Sequence, residues 1–207
     1  EMALQGLFVD PLADNVLLEV SPHMVKLMER SFPNITVLPR HARETEEMLK
    51  QADAQRPLGD LFDLFFRPED LVPSGYLKTD LSLAHHLRAR YLEGTEAGTR
   101  LIGISWQSRK RIAKRSFTAP IEQWGAVLSL STDEAIWGRQ PVRFVSLQYG
   151  DVTDDVETAR RLFGVRILSD PEVDPLKDLD AAAAQVMAMD GVLSVANATV
   201  ALAHALG

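Results

Sequence analysis

Three polar clusters in this chain have the residue types and spacing to hold a phosphorylated ligand. The first is Gln107-Ser108-Arg109-Lys110-Arg111, followed by Lys114, Arg115 and Ser116. Five of the seven residues 109–115 are basic, in a chain with 22 basic against 29 acidic side chains. Arg and Lys at that density could cradle phosphate through charge-assisted hydrogen bonds; a solvated basic loop is the plain alternative. The second cluster is Ala196-Asn197-Ala198-Thr199, which opens directly into an apolar stretch. Asn197 suits an N-cap and Thr199 adds a hydroxyl in the first turn. Small residues at 196, 198 and 201 would let an anion approach the backbone N–H groups of a helix start. An ordinary capped helix has the same signature. The third is Gln148-Tyr149-Gly150-Asp151. Tyr149 and Gln148 suit stacking and edge bonding to a base and Asp151 could take ribose hydroxyls, unless the run is only a polar turn before a helix.

Other chemistries find less support. His23 and His41 each follow a short apolar run, where a general base could sit, or where a surface histidine would. His85 and His86 are adjacent on a predicted helix, so they point about 100° apart and cannot chelate as an i, i+4 pair does. His204 falls in the last predicted helix, either packed or at its C-terminal end. There is no glycine-rich Rossmann fingerprint, P-loop, GxSxG or HExxH. With no cysteine, disulfides, thiolate zinc sites and cysteine nucleophiles are excluded, and a reducing, cytoplasmic compartment is expected. A net charge of -7 argues against a nucleic-acid-binding surface. No apolar run approaches the roughly 20 residues of a membrane span, and Glu1-Met2-Ala3-Leu4 lacks the basic start of a signal peptide.

The elements that would position these clusters alternate. Val16–Val20 and Ile35–Leu38 are predicted strands, with a helix from Ser21-Pro22 to about Phe32 between them. A solvated helix is expected over 44–55, a packed irregular connection over 56–78, and a helix rich in Arg and His over 82–92. Gly94 and Gly98 mark the expected domain boundary, giving a first domain over 1–93 and a second over 99–207. Beyond it, strands at 101–106, 142–147, 165–168 and 192–195 alternate with helices at 121–130, 155–163, 179–189 and 199–206. That pattern means βαβ units and a parallel sheet. In such sheets ligands bind beyond the carboxyl ends of the strands, which is where all three clusters fall. The run Ala203-His204-Ala205-Leu206-Gly207 ends where a strand would normally follow, so further chain is expected.

Four stretches in order, Leu101–Ser108, Phe144–Asp151, Asp170-Pro171 with Asp178-Leu179-Asp180, and Leu193–Val200, resemble the catalytic region of bacterial glycosyltransferases that carry tetratricopeptide repeats. That group is related to O-linked N-acetylglucosamine transferases and, more distantly, to heptosyltransferases. The resemblance covers roughly residues 15–207 and is most specific over 101–207. It implies an α/β protein of GT-B type, with two Rossmann-like parallel-sheet domains, both incomplete in this chain. The first would face the acceptor and the second would bind a nucleotide-sugar. It further implies a metal-independent transfer of sugar to a protein or glycan hydroxyl, with no cofactor and with tetratricopeptide repeats elsewhere in the full protein.

On that resemblance Lys114 and Arg115 would stabilise the departing diphosphate. Ser105, Gln107, Arg109, Asn197, Ala198, Thr199 and Val200 would hold the donor's diphosphate, Gln148, Tyr149 and Asp151 would border its nucleoside, and His23 would act as base on the acceptor side. The family's run before the last helix carries an acid, a histidine and a glycine where this chain has Ala196, Ala201 and His204. Those replacements keep a second expectation open, a glycosyltransferase-like domain that binds nucleotide or protein without turnover. A sugar-nucleotide epimerase of the same architecture is the third.

Overall fold

In the computed structural model, residues 15–60, 75–108, 111–112, 115–116, 118–129 and 140–207 are described, with only the backbone of 111–112 and 115–116. The chain divides into two compact units, one ending at Lys78 and the other spanning Thr79–Leu206.

In the first unit, β1 (Leu17–Val20) and β2 (Thr36–Pro39) pair in parallel, Leu17 opposite Thr36 and Val20 opposite Pro39. A strand pair of this kind needs a crossover. Here it is a 3₁₀ turn, Pro22–Met24, running into helix α1, Val25–Ser31. Pro22 presets the first turn, while Ser21 makes no side-chain cap. The helix stops before Pro33, as the restricted residue ahead of a proline dictates. Leu27 and Met28 of α1 are buried, as are Val20, Val37 and Leu38 of the strands. Helix α2 (Arg43–Leu49) follows β2 and is shorter than the helix expected over 44–55. Its buried Thr45 donates to the Pro39 carbonyl at 2.8 Å.

The second unit begins with helix α3 (Leu81–Leu92), capped by Asp80, whose carboxylate accepts from the Leu83 N–H at 3.0 Å. Four parallel strands follow: β3 (Arg100–Ser105), β6 (Val142–Ser146), β7 (Ile167–Leu168) and β8 (Gly191–Ser194). They lie side by side in the order β7-β6-β3-β8. Between β3 and β6, within the stretch whose basic residues the sequence offers as an anion cradle or a solvated loop, two short antiparallel strands pair, β4 (Arg111–Ile112) with β5 (Arg115–Ser116). Then come a 3₁₀ turn, Ile121–Trp124, and helix α4 (Gly125–Ser129). Helix α5 (Thr153–Phe163) joins β6 to β7, α6 (Leu179–Met187) joins β7 to β8, and α7 (Ala198–Leu206) follows β8. Gly164 ends α5 in the left-handed conformation, φ 69°, where a glycine carries no Cβ penalty.

Period-two alternation along the strands sends side chains to two separate cores. Ile102, Ile104 and Phe144 pack with Trp124, Leu128 and Ala159 on one face. Leu101 and Val145 pack with Leu87, Tyr91 and Ala184 on the other. Helices therefore cover both faces, the doubly wound arrangement of a parallel sheet. Gly103 leaves no room for a side chain: a Cβ there would lie 2.4 Å from Leu147 Cδ1.

The division between units falls at Lys78, not between residues 93 and 99 as the glycines suggested. Helix α3 belongs to the second unit because its side chains are bound there. Arg88 donates to the Ala188 carbonyl and to both oxygens of Asp190. Arg143 of β6 donates to the carbonyls of Tyr91 and Glu93, two of the acceptors that a helix C-terminus leaves open. Gly94 and Gly98, at φ 68° and 83°, turn the chain from helix to strand within one unit.

Candidate functional site

The strand order locates the crevice. From β3 the chain builds outward through β6 to β7, then crosses back so that β8 joins the other side of β3. Connections leaving β3 and β8 thus diverge to opposite faces, which is the switch point where open parallel sheets bind ligands. Ser105 and Ser194, the last residues of these strands, are paired in register.

Asn197 spans that point and makes four hydrogen bonds. Its Oδ1 accepts from the Thr199 N–H, capping α7, and from Ser194 Oγ, both at 2.9 Å. Its Nδ2 donates to Ser105 Oγ at 2.8 Å and to the Gln107 carbonyl at 3.0 Å. Ser105, fully buried, passes its own proton to Gln148 Oε1 at 3.0 Å. That oxygen also accepts from the backbone N–H groups of Trp106 and Gln107, at 3.1 and 2.9 Å. Two obligatory backbone donors fix which end of the Gln148 amide is oxygen. Its Nε2 is left without a partner among the described residues.

The loop after β3 has a second anchor. Asp155, in the first turn of α5, accepts from the buried Trp106 indole at 2.8 Å and from Gln107 Nε2 at 2.6 Å, both on Oδ2. Beside it, a cavity of about 310 Å³ opens beyond the carboxyl ends of β6 and β7. Gln148, Tyr149, Asp151, Asp170, Asp174 and Gln185 are among its lining residues. Asp151 accepts from the Thr153 N–H at 3.0 Å, and that backbone bond holds its carboxyl below the ordinary value. Asp170 is bound by Arg90 and by the Tyr91 hydroxyl, and Arg90 also bonds Glu172.

Ser105, Gln107, Gln148, Asn197 and Thr199 are thus brought together at the ends of three adjacent strands. Their side chains largely satisfy one another. Ser105 and Asn197 hold the loops in place, and the groups left facing outward are the Gln148 amide nitrogen and the start of α7. There, Ala196, Ala198, Val200 and Ala201 are all exposed. Thr199 is buried, and its hydroxyl donates to the Leu147 carbonyl at 3.4 Å. Tyr149 and Asp151 lie on the cavity instead of on the crevice network. Arg109 and Lys114 fall outside the described residues, and Arg115 is described only as backbone in β5. His23 sits in the 3₁₀ turn directly after β1, in the first unit. His41, at φ 66°, and His85, His86 and His204 are exposed. Among the described residues no cluster of His, Cys, Asp and Glu could hold a metal ion, and no helix is long and apolar enough to cross a membrane.

The chain is similar to Protein FlbA of Caulobacter vibrioides. The two are 30% identical over 203 residues, which is 92% of this chain and 32% of that protein. The chain therefore spans about a third of the length of this relative. No family model matches the chain, and no solved structure matches it.

Asp155, Tyr91, Asp170 and Gln185 were not among the sequence candidates. One signal could have found Asp155: a tryptophan at a buried strand end needs an acceptor for its indole N–H. An acid in the first turn of a neighbouring helix is a ready one. Gln185 lies in an alanine-rich helix, where nothing in the sequence marks which face it occupies.

Proposed function

We propose that the chain is part of a glycosyltransferase of GT-B type. In this reading the second unit binds a nucleotide-sugar and the sugar passes to a protein or glycan hydroxyl. The carrying observation is the switch point, where the capped start of α7 and the loop after β3 are locked together by Asn197, Ser105 and Gln148. N–H groups at a helix start favour anions, and the backbone of Ala198 and Val200 supplies them, the Thr199 N–H being held by Asn197. The Lys114 and Arg115 side chains follow β3 and add positive charge to offset the departing diphosphate. The neighbouring cavity, bordered by Gln148–Asp151, takes the nucleoside.

Transfer is a direct displacement. The acceptor oxygen forms its bond to the anomeric carbon as the carbon–oxygen bond to the diphosphate breaks, and the acceptor's proton passes to a base, for which His23 is the candidate. The reaction requires neither metal nor cofactor, and the full protein is cytoplasmic, with tetratricopeptide repeats outside these residues. A second reading, binding without turnover, is supported by exposed Ala196 and Ala201, which give the mouth of the crevice no polar group.

Calorimetric titration with nucleoside diphosphates tests the common part of both readings. Lys114→Ala and Arg115→Ala should each weaken binding by about 1–3 kcal/mol, and unchanged binding in the double variant would overturn the assignment. Release of nucleoside diphosphate from a nucleotide-sugar in the presence of acceptor separates turnover from binding alone.

A further inference from the structure

Helix α3 delivers a buried phenol to the back of the cavity wall. Tyr91 is 1% exposed; its hydroxyl donates to Asp170 and accepts from Gln185 Nε2 at 2.9 Å. Burial first, and then the bond to Asp170, push its pKa well above the ordinary phenol value, so the proton stays on the oxygen. That proton is committed to a carboxylate which Arg90 also holds. The Gln185 group facing the hydroxyl must therefore be the NH₂ end, and chemistry fixes the orientation of this amide.

The other end is unpaired. Gln185 is 5% exposed and lines the cavity, yet its Oε1 has no partner among the described residues. An amide oxygen on a cavity wall with no partner in the protein is open to a ligand's N–H. This one belongs to a rigid helix and is held in one orientation by three residues behind it. Gln148 offers the converse group, an Nε2 whose amide is held by three donors on its oxygen. The cavity thus carries one fixed acceptor and one fixed donor, the two kinds of group that a nucleobase edge requires.

We propose that Gln185 Oε1 is a specificity-determining acceptor in the cavity beyond β6 and β7, receiving an N–H of the donor's nucleobase. Tyr91, Asp170 and Arg90 are the positioning residues that aim it. The inference rests on the nucleotide-sugar reading above and names the residue that senses the base.

The test is calorimetric titration of the 207-residue chain and its Gln185→Met variant, with uridine, cytidine, guanosine and adenosine diphosphates and with inorganic pyrophosphate. Methionine keeps the length of the side chain and removes both polar atoms. The variant should bind the preferred nucleoside diphosphate roughly 5- to 10-fold more weakly and pyrophosphate as wild type does. Binding of the nucleoside diphosphate within twofold of wild type, or equal loss of both ligands, overturns the proposal. Should the variant not fold, the side-chain amide signal of Gln185 in wild-type ¹H–¹⁵N spectra decides. It must move with the nucleoside diphosphate and stay in place with pyrophosphate; a signal unmoved by either overturns the proposal. A wild type that binds no nucleoside diphosphate would remove the nucleotide reading and this inference with it. Binding that is indifferent to Gln185 removes this inference alone.

Discussion

Replacing Asn197 with alanine should destabilise the second unit by about 2–4 kcal/mol, a large share of a domain's net stability. Loss of the α7 cap contributes about 1 kcal/mol of this. The two Nδ2 bonds, to Ser105 Oγ at 2.8 Å and the Gln107 carbonyl at 3.0 Å, contribute about 0.5–1.5 kcal/mol each. For a unit spanning Thr79–Leu206 that corresponds to a fall in Tm of about 8–15 °C. Asn197→Asp separates the two contributions. It keeps an oxygen to cap Thr199, and its charge suits a helix start. It also sets that charge against the Gln107 carbonyl and removes the donor, so about 1–3 kcal/mol should still be lost. Urea denaturation followed by circular dichroism measures both variants, and nucleoside diphosphate titration on the same samples reads whether the crevice survives. An alanine variant within about 0.5 kcal/mol of wild type, the range of an ordinary surface change, would refute the clamp. An aspartate variant as stable as wild type would show that Asn197 acts only as a cap.

Asp155→Ala strands the buried Trp106 indole N–H and should cost about 1–3 kcal/mol, with Asp155→Asn recovering most of it; fluorescence-monitored urea titration compares them. Gly103→Ala forces a methyl against Leu147 and should destabilise by about 1–3 kcal/mol, read by thermal melting. Tyr91 predicts an alkaline effect. Its pKa is raised on folding above the ordinary phenol value of about 10, so its contribution is fully present below that pH and is lost as pH climbs through the folded value. Stability measured by urea between about pH 9 and 11 should therefore fall more steeply in wild type than in Tyr91→Phe. Tyr91 should resist ultraviolet titration until the protein unfolds, and three freely titrating tyrosines would refute the buried network.

Much of the second unit could be read from local patterning because its signals were redundant. Leu101–Ile104 is apolar at every position except a glycine, as a strand buried on both faces must be. Asp178 precedes its helix as a cap and accepts from the N–H groups of Asp180 and Ala181. The first unit was legible in the same way: Pro22 and Pro33 bracket α1. The boundary was misplaced because glycine marks a turn, and a turn within a unit looks the same as one between units. What joins α3 to the sheet is side-chain bonding from Arg88, Tyr91 and Arg143, to partners 50 or more residues away.

The sequence by itself determined that the chain forms alternating strands and helices, and that polar runs follow the strands at Gln107, Gln148 and Asn197. Period, capping chemistry and proline placement act over a few residues, so they can be read without a structure. Tertiary structure alone decided the strand order β7-β6-β3-β8, and with it that those three runs converge. It also decided that Ser105 and Asn197 bond one another and the loops around them, while the Gln185 oxygen is left open to a cavity. Which polar groups are satisfied depends on partners far away along the chain, and only packing brings those partners within hydrogen-bond reach.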